Sequence, residues 1–400
     1  MRYAPIFYWS SVLIKSPKTL SWSVKELYNR PYSQQVIKMT EVKKFDIDLR
    51  SDTVTTPTAE MRQAMANADV GDDVFSEDPT VAKLEKKVSQ LLGKEKALFV
   101  TSGTMGNLLS IMAHCWGRGY DIIVGDKSHI IKYEQGGASC IAGVVIRTIH
   151  NAPDGTISLD ELDLTINPGI DPHKTKTKMV CLENTHNMCG GVVLSPEYCW
   201  KVHKIMKSHG EDIALHLDGA RLLNAAVSLS VDPKELTEPF DSVNLCLSKG
   251  LGAPVGSVIC GSQQFIDRAR RLRKMVGGGW RQAGVLASCG LVALDGFEQK
   301  LGADHENALL FASKIKSVPG IELDLSSVQT NMVYFTVKSD TITAQGLVDQ
   351  LANRKLGDGS SVNVGVFAVG PSVIRAVFHH QVSSDQVLKA ADKISHIMTV

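Results

Sequence analysis

A handful of polar residues sit at the ends of short apolar runs in this 400-residue chain. The turn Thr101-Ser102-Gly103-Thr104-Met105-Gly106-Asn107 follows "ALFV", and His129 follows "DIIVGD". His186 follows "MVCLE", Asp218 closes "IALHLD" with Arg221 just beyond it, and Lys249 follows "VNLCLS". Small and hydroxyl residues that open a helix can present backbone N–H groups to a phosphate. An arginine can grip a carboxylate with paired hydrogen bonds, which a lysine cannot match geometrically. A lysine inside the apolar, glycine-rich "NLCLSKGLGAPVGSVICG" either reaches water or has a chemical task, because lysine is almost never buried without a partner. Singly, each residue has an ordinary explanation: a capped helix, a structural histidine, a capping aspartate, a snorkelling lysine. Jointly they match the needs of one cofactor, pyridoxal phosphate. It requires a lysine amine for a Schiff base, an acid at the pyridine nitrogen, a phosphate cradle, and an aromatic or imidazole face against the ring.

The elements that must position these residues are legible in outline. In "DPTVAKLEKKVSQLLGK", Val81, Leu84, Val88 and Leu91 recur at helical spacing, and Gly93 can end the helix. Ser195-Pro196 opens another helix that should end near Gly210. Short apolar strands alternating with helices predict an α/β protein with a largely parallel sheet, and ligands bind outside the carboxyl ends of such strands. After about Lys300 the pattern changes. "GIELDL" and "MVYFTV" read as strands, while "TAQGLVDQLANRK" and "SSDQVLKAADKISHIM" read as amphipathic helices. The organisation expected is an N-terminal extension over 1–45, a large domain over 46–300 and a smaller α+β domain over 301–400. A competing dinucleotide site at Gly250, Gly252 and Gly256 needs a strand–turn–helix context. Here Pro254 intervenes and "VGSVICG" reads as a strand.

Bulk properties narrow the partners. A net charge of +1 and 44% hydrophobic residues describe an ordinary globular chain, with no reason to expect nucleic-acid or membrane-surface binding. No apolar run reaches the ~18 residues that suggest a transmembrane helix. The cysteines Cys115, Cys140, Cys181, Cys189, Cys199, Cys246, Cys260 and Cys289 are scattered without a C-x-x-C pair, as expected for buried reduced thiols and not for a metal site. Residues 1 to about 40 are basic, serine-rich and nearly free of acids, a composition that predicts a mitochondrial transit peptide; the alternative is a disordered or loosely attached tail on a cytoplasmic protein.

The stretches "DLRSDTVTTPT", "VGDDVFSEDPTV", "SGTMGN", "HIIKYEQGG", "ENTHN", "HLDGARL", "LSKGLGAPVGS" and "KMVGGGWRQAG" occur in that order. With them the chain resembles the L-threonine aldolases, also called low-specificity or allo-threonine aldolases, over about residues 46 to 400. That resemblance implies a pyridoxal-phosphate enzyme of fold type I that cleaves L-threonine or L-allo-threonine to glycine and acetaldehyde through an external aldimine and a quinonoid. It implies that Lys249 carries the cofactor, Asp218 pairs with the pyridine nitrogen and His129 stacks on the ring. Gly103 and Thr104 would hold the phosphate, helped by Arg281 or Lys274 from a neighbouring subunit of a tetramer built from dimers. Ser51, Arg221 and Arg375 would bind the substrate carboxylate, and His186 would lie near the β-hydroxyl. The base is left open between His129, His186 and a water held between them. Another reaction on the same cofactor (β-elimination, transamination or serine hydroxymethyl transfer), or a non-catalytic scaffold, is the alternative. Phe75, Trp280 and "FHHQVS" depart from the family's usual residues, the first two at places where site shape could change.

Overall fold

Strand β1 (Ile47–Asp48) leads into the chain's main sheet, built from β2 (Lys96–Val100), β3 (Tyr120–Gly125), β4 (Val145–Ile149), β5 (Lys176–Glu183), β6 (Ala214–Gly219), β7 (Ser242–Cys246) and β8 (Ser257–Gly261). The sheet order is β2-β8-β7-β6-β5-β3-β4. Only β8 runs against its neighbours, pairing antiparallel with both β2 and β7. The other adjacent pairs are parallel, so the carboxyl ends of β2 to β7 share one edge. The computed structural model describes residues 45–353 and 362–399, which fall in a single compact unit. The proposed transit peptide lies outside the described residues.

Local chemistry explains the helices that flank the sheet. Asp78 caps the helix Pro79–Leu91 by accepting from the N–H groups of Thr80 and Val81, and Pro79 occupies a first-turn position. Val81, Leu84 and Val88 are buried as their spacing requires, but the fourth buried apolar residue is Leu92, at the C-cap, and Leu91 stays partly exposed. Ser195 caps Pro196–His209, which ends at Gly210. Ser102 caps Gly103–His114 by accepting from Met105. One set of alternating sheet side chains packs with Pro79–Leu91 and Pro196–His209 into the largest core, from Met61 and Leu84 through Val180, Leu217 and Val243 to Leu301, while Gly103–His114 packs against the other set in two smaller clusters, around Ile122 and around Leu98.

The C-terminal part builds a second sheet, β12-β13-β10-β9, from β9 (Ile321–Glu322), β10 (Met332–Val337), β12 (Phe367–Ala368) and β13 (Val373–Val377). All its pairs are antiparallel. The "GIELDL" strand is shorter than its pattern suggests. Its core surrounds Phe311, Phe335 and Phe378, under the helices Phe297–Ile315 and Ser384–Thr399. β1 pairs with β11 (Val364–Gly365), so the start of the described chain is bound to this smaller layer. All eight cysteines are free. Six are buried as expected, but Cys140 is exposed and Cys189 partly so.

Between β7 and β8 the chain turns back on itself, which confirms strand–turn–strand and removes the dinucleotide reading. Gly252 has φ +84, a left-handed conformation, and a Cβ there would meet the His380 ring at 2.4 Å. Lys249 rides on this turn, just past the end of β7.

Candidate active site

Strand register assembles the site at the carboxyl edge. Glu183 on β5 stands beside Asp218 on β6, and Asp218 stands beside Asn244 on β7. A cavity of about 260 Å³ opens here, lined by Ser51, Thr53, His129, Tyr133, Glu183, Asn187, Asp218, Ala220, Arg221, Lys249 and Arg375. Six of the residues singled out from the sequence therefore meet: Ser51, His129, Asp218, Arg221, Lys249 and Arg375.

Their surroundings differ in ways that bear on chemistry. Lys249 Nζ makes no hydrogen bond or ion pair among the described residues. Asp218 accepts from Asn107 Nδ2 at 2.8 Å through Oδ2 and from the Ala220 N–H at 3.2 Å through Oδ1. His129 donates its backbone N–H to Glu183 at 2.7 Å, and its Nδ1 lies 2.8 Å from Glu134 Oε1. Burial disfavours a charge on His129, but the hydrogen bond to Glu134 and the nearby Asp218 outweigh it and raise the pKa. Burial also raises Glu134, against the pull of His129. His129, Glu134 and Asp218 place ligand atoms within 4.8 Å of one another. The hydrogen bonds from Asn107 and His129 already engage that set as donors and acceptors.

The arginines divide. Arg375, on β13, donates to Asn187 Oδ1 at 3.0 Å and to the Arg50 carbonyl at 3.1 Å, while its buried Nε has no partner. Arg221 is buried and locked: its Nε and Nη2 bind Asp52 at 2.7 and 2.6 Å. Burial of Asp52 opposes its charge, but Arg221, with Lys249 and Asn331, holds its pKa at about 2. Two of the three guanidinium nitrogens of Arg221 are thus already engaged.

Other expected residues stand apart from the cavity. Gly103 and Thr104 occupy the first turn of Gly103–His114, where N–H groups have no intrahelical acceptor. His186 is buried away from the cavity lining, and neither ring nitrogen has a partner. Arg281 is 61% exposed and pairs with Asp72 at 2.8 Å. Lys274 lies in the last turn of Gln263–Met275. Of the departures from the family, Phe75 is exposed, and Trp280 stacks on Phe99 at 5.4 Å without lining the cavity. Sequence reasoning missed Asn107, Glu134, Asn187 and the Asp52 lock. Asn107 and Glu134 lay inside quoted motifs, yet Asn107 finds its partners Glu134 and Asp218 27 and 111 positions away.

The donor set fits pyridoxal phosphate. An unpartnered lysine amine, a carboxylate held at a strand end and an imidazole line one cavity together with Arg375, whose Nε is orphaned, and the helix that begins at Gly103 offers first-turn N–H groups.

Comparison with known proteins gives an independent view. The profile of the beta-eliminating lyase family matches residues 48–338. "Low-specificity L-threonine aldolase 1" of Arabidopsis thaliana is 46% identical over 345 residues, covering 85% of this chain and 93% of that protein. "Low specificity L-threonine aldolase" of Escherichia coli is 40% identical over 345 residues, covering 86% and 97%. The solved structure of Leishmania major threonine aldolase superposes with a TM-score of 0.73 at 19% identity, covering 88% of this chain and 99% of that one, which shows a shared fold.

Proposed function

The chain belongs to the beta-eliminating lyase family and, within it, to the low-specificity L-threonine aldolases, and from that membership we propose that it cleaves L-threonine and L-allo-threonine to glycine and acetaldehyde. It is a pyridoxal-phosphate-dependent lyase of fold type I. The observation that carries the reading is the convergence of Lys249, Asp218, His129 and Arg375 on one cavity.

Lys249 Nζ would hold the cofactor covalently, Asp218 would pair with its ring nitrogen, and the open N–H groups of Gly103 and Thr104 would take its phosphate. When bound, pyridoxal phosphate supplies a sink for the electron pair released as Cα–Cβ breaks. The remaining work falls to the chain's own residues. Arg375 would grip the substrate carboxylate, with Ser51 beside it, and so fix the rotation that presents the bond to be broken. Arg221, tied to Asp52, would add charge at that end from a fixed position. His129 would take the β-hydroxyl proton at Nε2, because Nδ1 is committed to Glu134, and the Glu134 carboxylate would then face the protonated ring. General-base assistance of this kind is typically worth ~10²–10⁴-fold. The buried position of His186, outside the cavity lining, favours His129 as the base.

We further propose a homotetramer in which Arg281 and Lys274 complete a neighbouring subunit's phosphate site. The exposed Phe75 beside the Asp72–Arg281 pair, and a groove formed by Trp116, Ile141 and Met275, support an apolar contact surface. The basic, acid-poor residues 1 to about 40 support mitochondrial delivery, and glycine supply is the role this reaction would serve.

The direct test is incubation of the purified protein with each substrate, following acetaldehyde and glycine. Equal amounts of both products, without keto acid or ammonia, are expected. Keto acid or ammonia as the main product would assign a different reaction on the same cofactor.

A further inference from the structure

Asp218, His129 and Gly103 come from three separate strand ends, and one side chain links them. Asn107 stands in the second turn of Gly103–His114. Its Nδ2 donates to Asp218 Oδ2 and to Glu134 Oε1, each at 2.8 Å. Glu134 in turn binds His129 Nδ1. On its other side, Asn107 Oδ1 accepts from Asn244 Nδ2 at 2.8 Å and from His216 Nε2 at 3.1 Å. Asn244 donates its second N–H to the Gly103 carbonyl at 2.8 Å and accepts from the Ser257 hydroxyl at 2.7 Å. Every hydrogen-bonding valence of Asn107 is filled.

These partners share one face of the sheet. His216 and Asp218 lie two apart on β6, as Ser242 and Asn244 do on β7, and register pairs them His216 with Ser242 and Asp218 with Asn244. Asn107 drops onto this polar square from the covering helix. The direction of donation is then forced. Asn107 Oδ1 can only accept, so His216 carries its proton on Nε2 and its Nδ1 accepts from the Ser242 hydroxyl at 2.8 Å. Ser242 Oγ in turn accepts from His114 Nε2 at 2.9 Å. Burial pushes His216 down to about 3, aided by nearby His114, so the ring is neutral and a single tautomer is defined. Asn107, His216, Ser242, Asn244 and Ser257 are each at most 1% exposed, so bulk water cannot replace a lost partner.

We infer that Asn107 is a positioning residue for the cofactor site: it sets Asp218 and, through Glu134, His129 against the phosphate-binding turn, while His216 and Ser242 hold it in the one orientation that lets it donate twice. The inference rests on the pyridoxal-phosphate reading. It assigns Asn107, Asn244 and His216 to the orientation of Asp218 and His129, without contact to substrate.

The experiment uses the purified enzyme with pyridoxal phosphate and reads two quantities besides activity: the cofactor's dissociation constant and the pH midpoint of its visible absorption band. Asn107→Asp turns both donors into an acceptor facing two carboxylates. It is expected to weaken cofactor binding by about tenfold or more and to move the band's midpoint by about half a pH unit or more. His216→Leu should shift both quantities in the same direction. His216→Gln, whose amide can still donate to Asn107, should return them to within about twofold of the wild type. A purely structural role would lower the melting temperature of these variants and leave the band's midpoint in place, which overturns the inference. Wild-type ¹⁵N spectra supply a measurement that needs no variant to fold. His216 is expected neutral at pH 7 with its proton on Nε2, and a proton on Nδ1 refutes the network. A wild-type protein that takes up no pyridoxal phosphate refutes the cofactor reading, whereas normal uptake with unmoved variants refutes only this one.

Discussion

Removing the carboxylate of Asp52 should cost more than removing both partners of its ion pair. Asp52 is fully buried and accepts two hydrogen bonds from Arg221, at 2.7 and 2.6 Å, and a third from Asn331 at 3.3 Å. Asp52→Asn leaves the Arg221 guanidinium buried without its counter-ion, a situation that typically costs ~3–5 kcal/mol. Asp52→Asn combined with Arg221→Gln removes both charges and should recover much of that loss. The pH dependence has a definite sign. The folded-state pKa of about 2 lies below the ordinary 3.8, so the native state binds this proton less readily than the unfolded chain. The stabilisation is therefore complete above about pH 4 and is lost as pH falls through 2; the gap corresponds to ~2.4 kcal/mol. Urea denaturation midpoints of the wild type, both single variants and the double variant, at pH 7 and at steps down to pH 3, measure the coupling. Strictly additive single effects, with coupling below ~0.5 kcal/mol, would refute a buried, mutually dependent pair.

Four further outcomes follow from the same geometry. Lys249→Ala should fold normally yet retain no cofactor covalently after borohydride reduction; a labelled protein would remove Lys249 from its assigned place. Arg375→Gln should lower kcat/KM for threonine by about 10²-fold through the loss of charge-assisted hydrogen bonds, and a variant as efficient as the wild type would free Arg375 from carboxylate binding. Burial and the Asp52 charge push Asp304 up to about 8, so its contribution to stability is greatest below about pH 4 and is lost as pH rises through 8; Asp304→Asn should thus raise the melting temperature by an amount that grows from pH 6 to 9 and reflects up to ~4 kcal/mol at pH 7. A Cβ at Gly106 would lie 2.3 Å from Asn244 Oδ1, so Gly106→Ala should destabilise the protein by ~1–3 kcal/mol, measured by thermal melting.

The outline of the fold was legible because periodicity is local. Val81, Leu84 and Val88, three and four apart, marked a buried helix face, and Ser195-Pro196 marked a helix start that the chain realises. The run "VGSVICG" read as a strand and is one, which settled the context of Lys249. Where the pattern was thin it misled: Leu92 replaces Leu91 in the core, and "GIELDL" yields a strand of two residues. His216 with Asp218, and Ser242 with Asn244, alternate with apolar neighbours as in any half-polar strand. Nothing in that alternation says that the polar face is buried under a helix and bridged by an asparagine.

By itself the sequence determined the chemistry on offer. Polar residues at successive strand ends must emerge at one edge of a parallel sheet, so a lysine, an aspartate, a histidine and a glycine-rich helix start were bound to meet. Only the tertiary structure decided how those groups are engaged. It ties Arg221 to Asp52 across 169 positions, leaves the Nε of the cavity-lining Arg375 without a partner, and buries His186 outside the cavity lining. It also joins Asn107 to Asp218, Glu134, His216 and Asn244. The physical reason is that hydrogen-bond and ion-pair partners are chosen by proximity after folding, and in a low-dielectric interior each buried polar group must find one there.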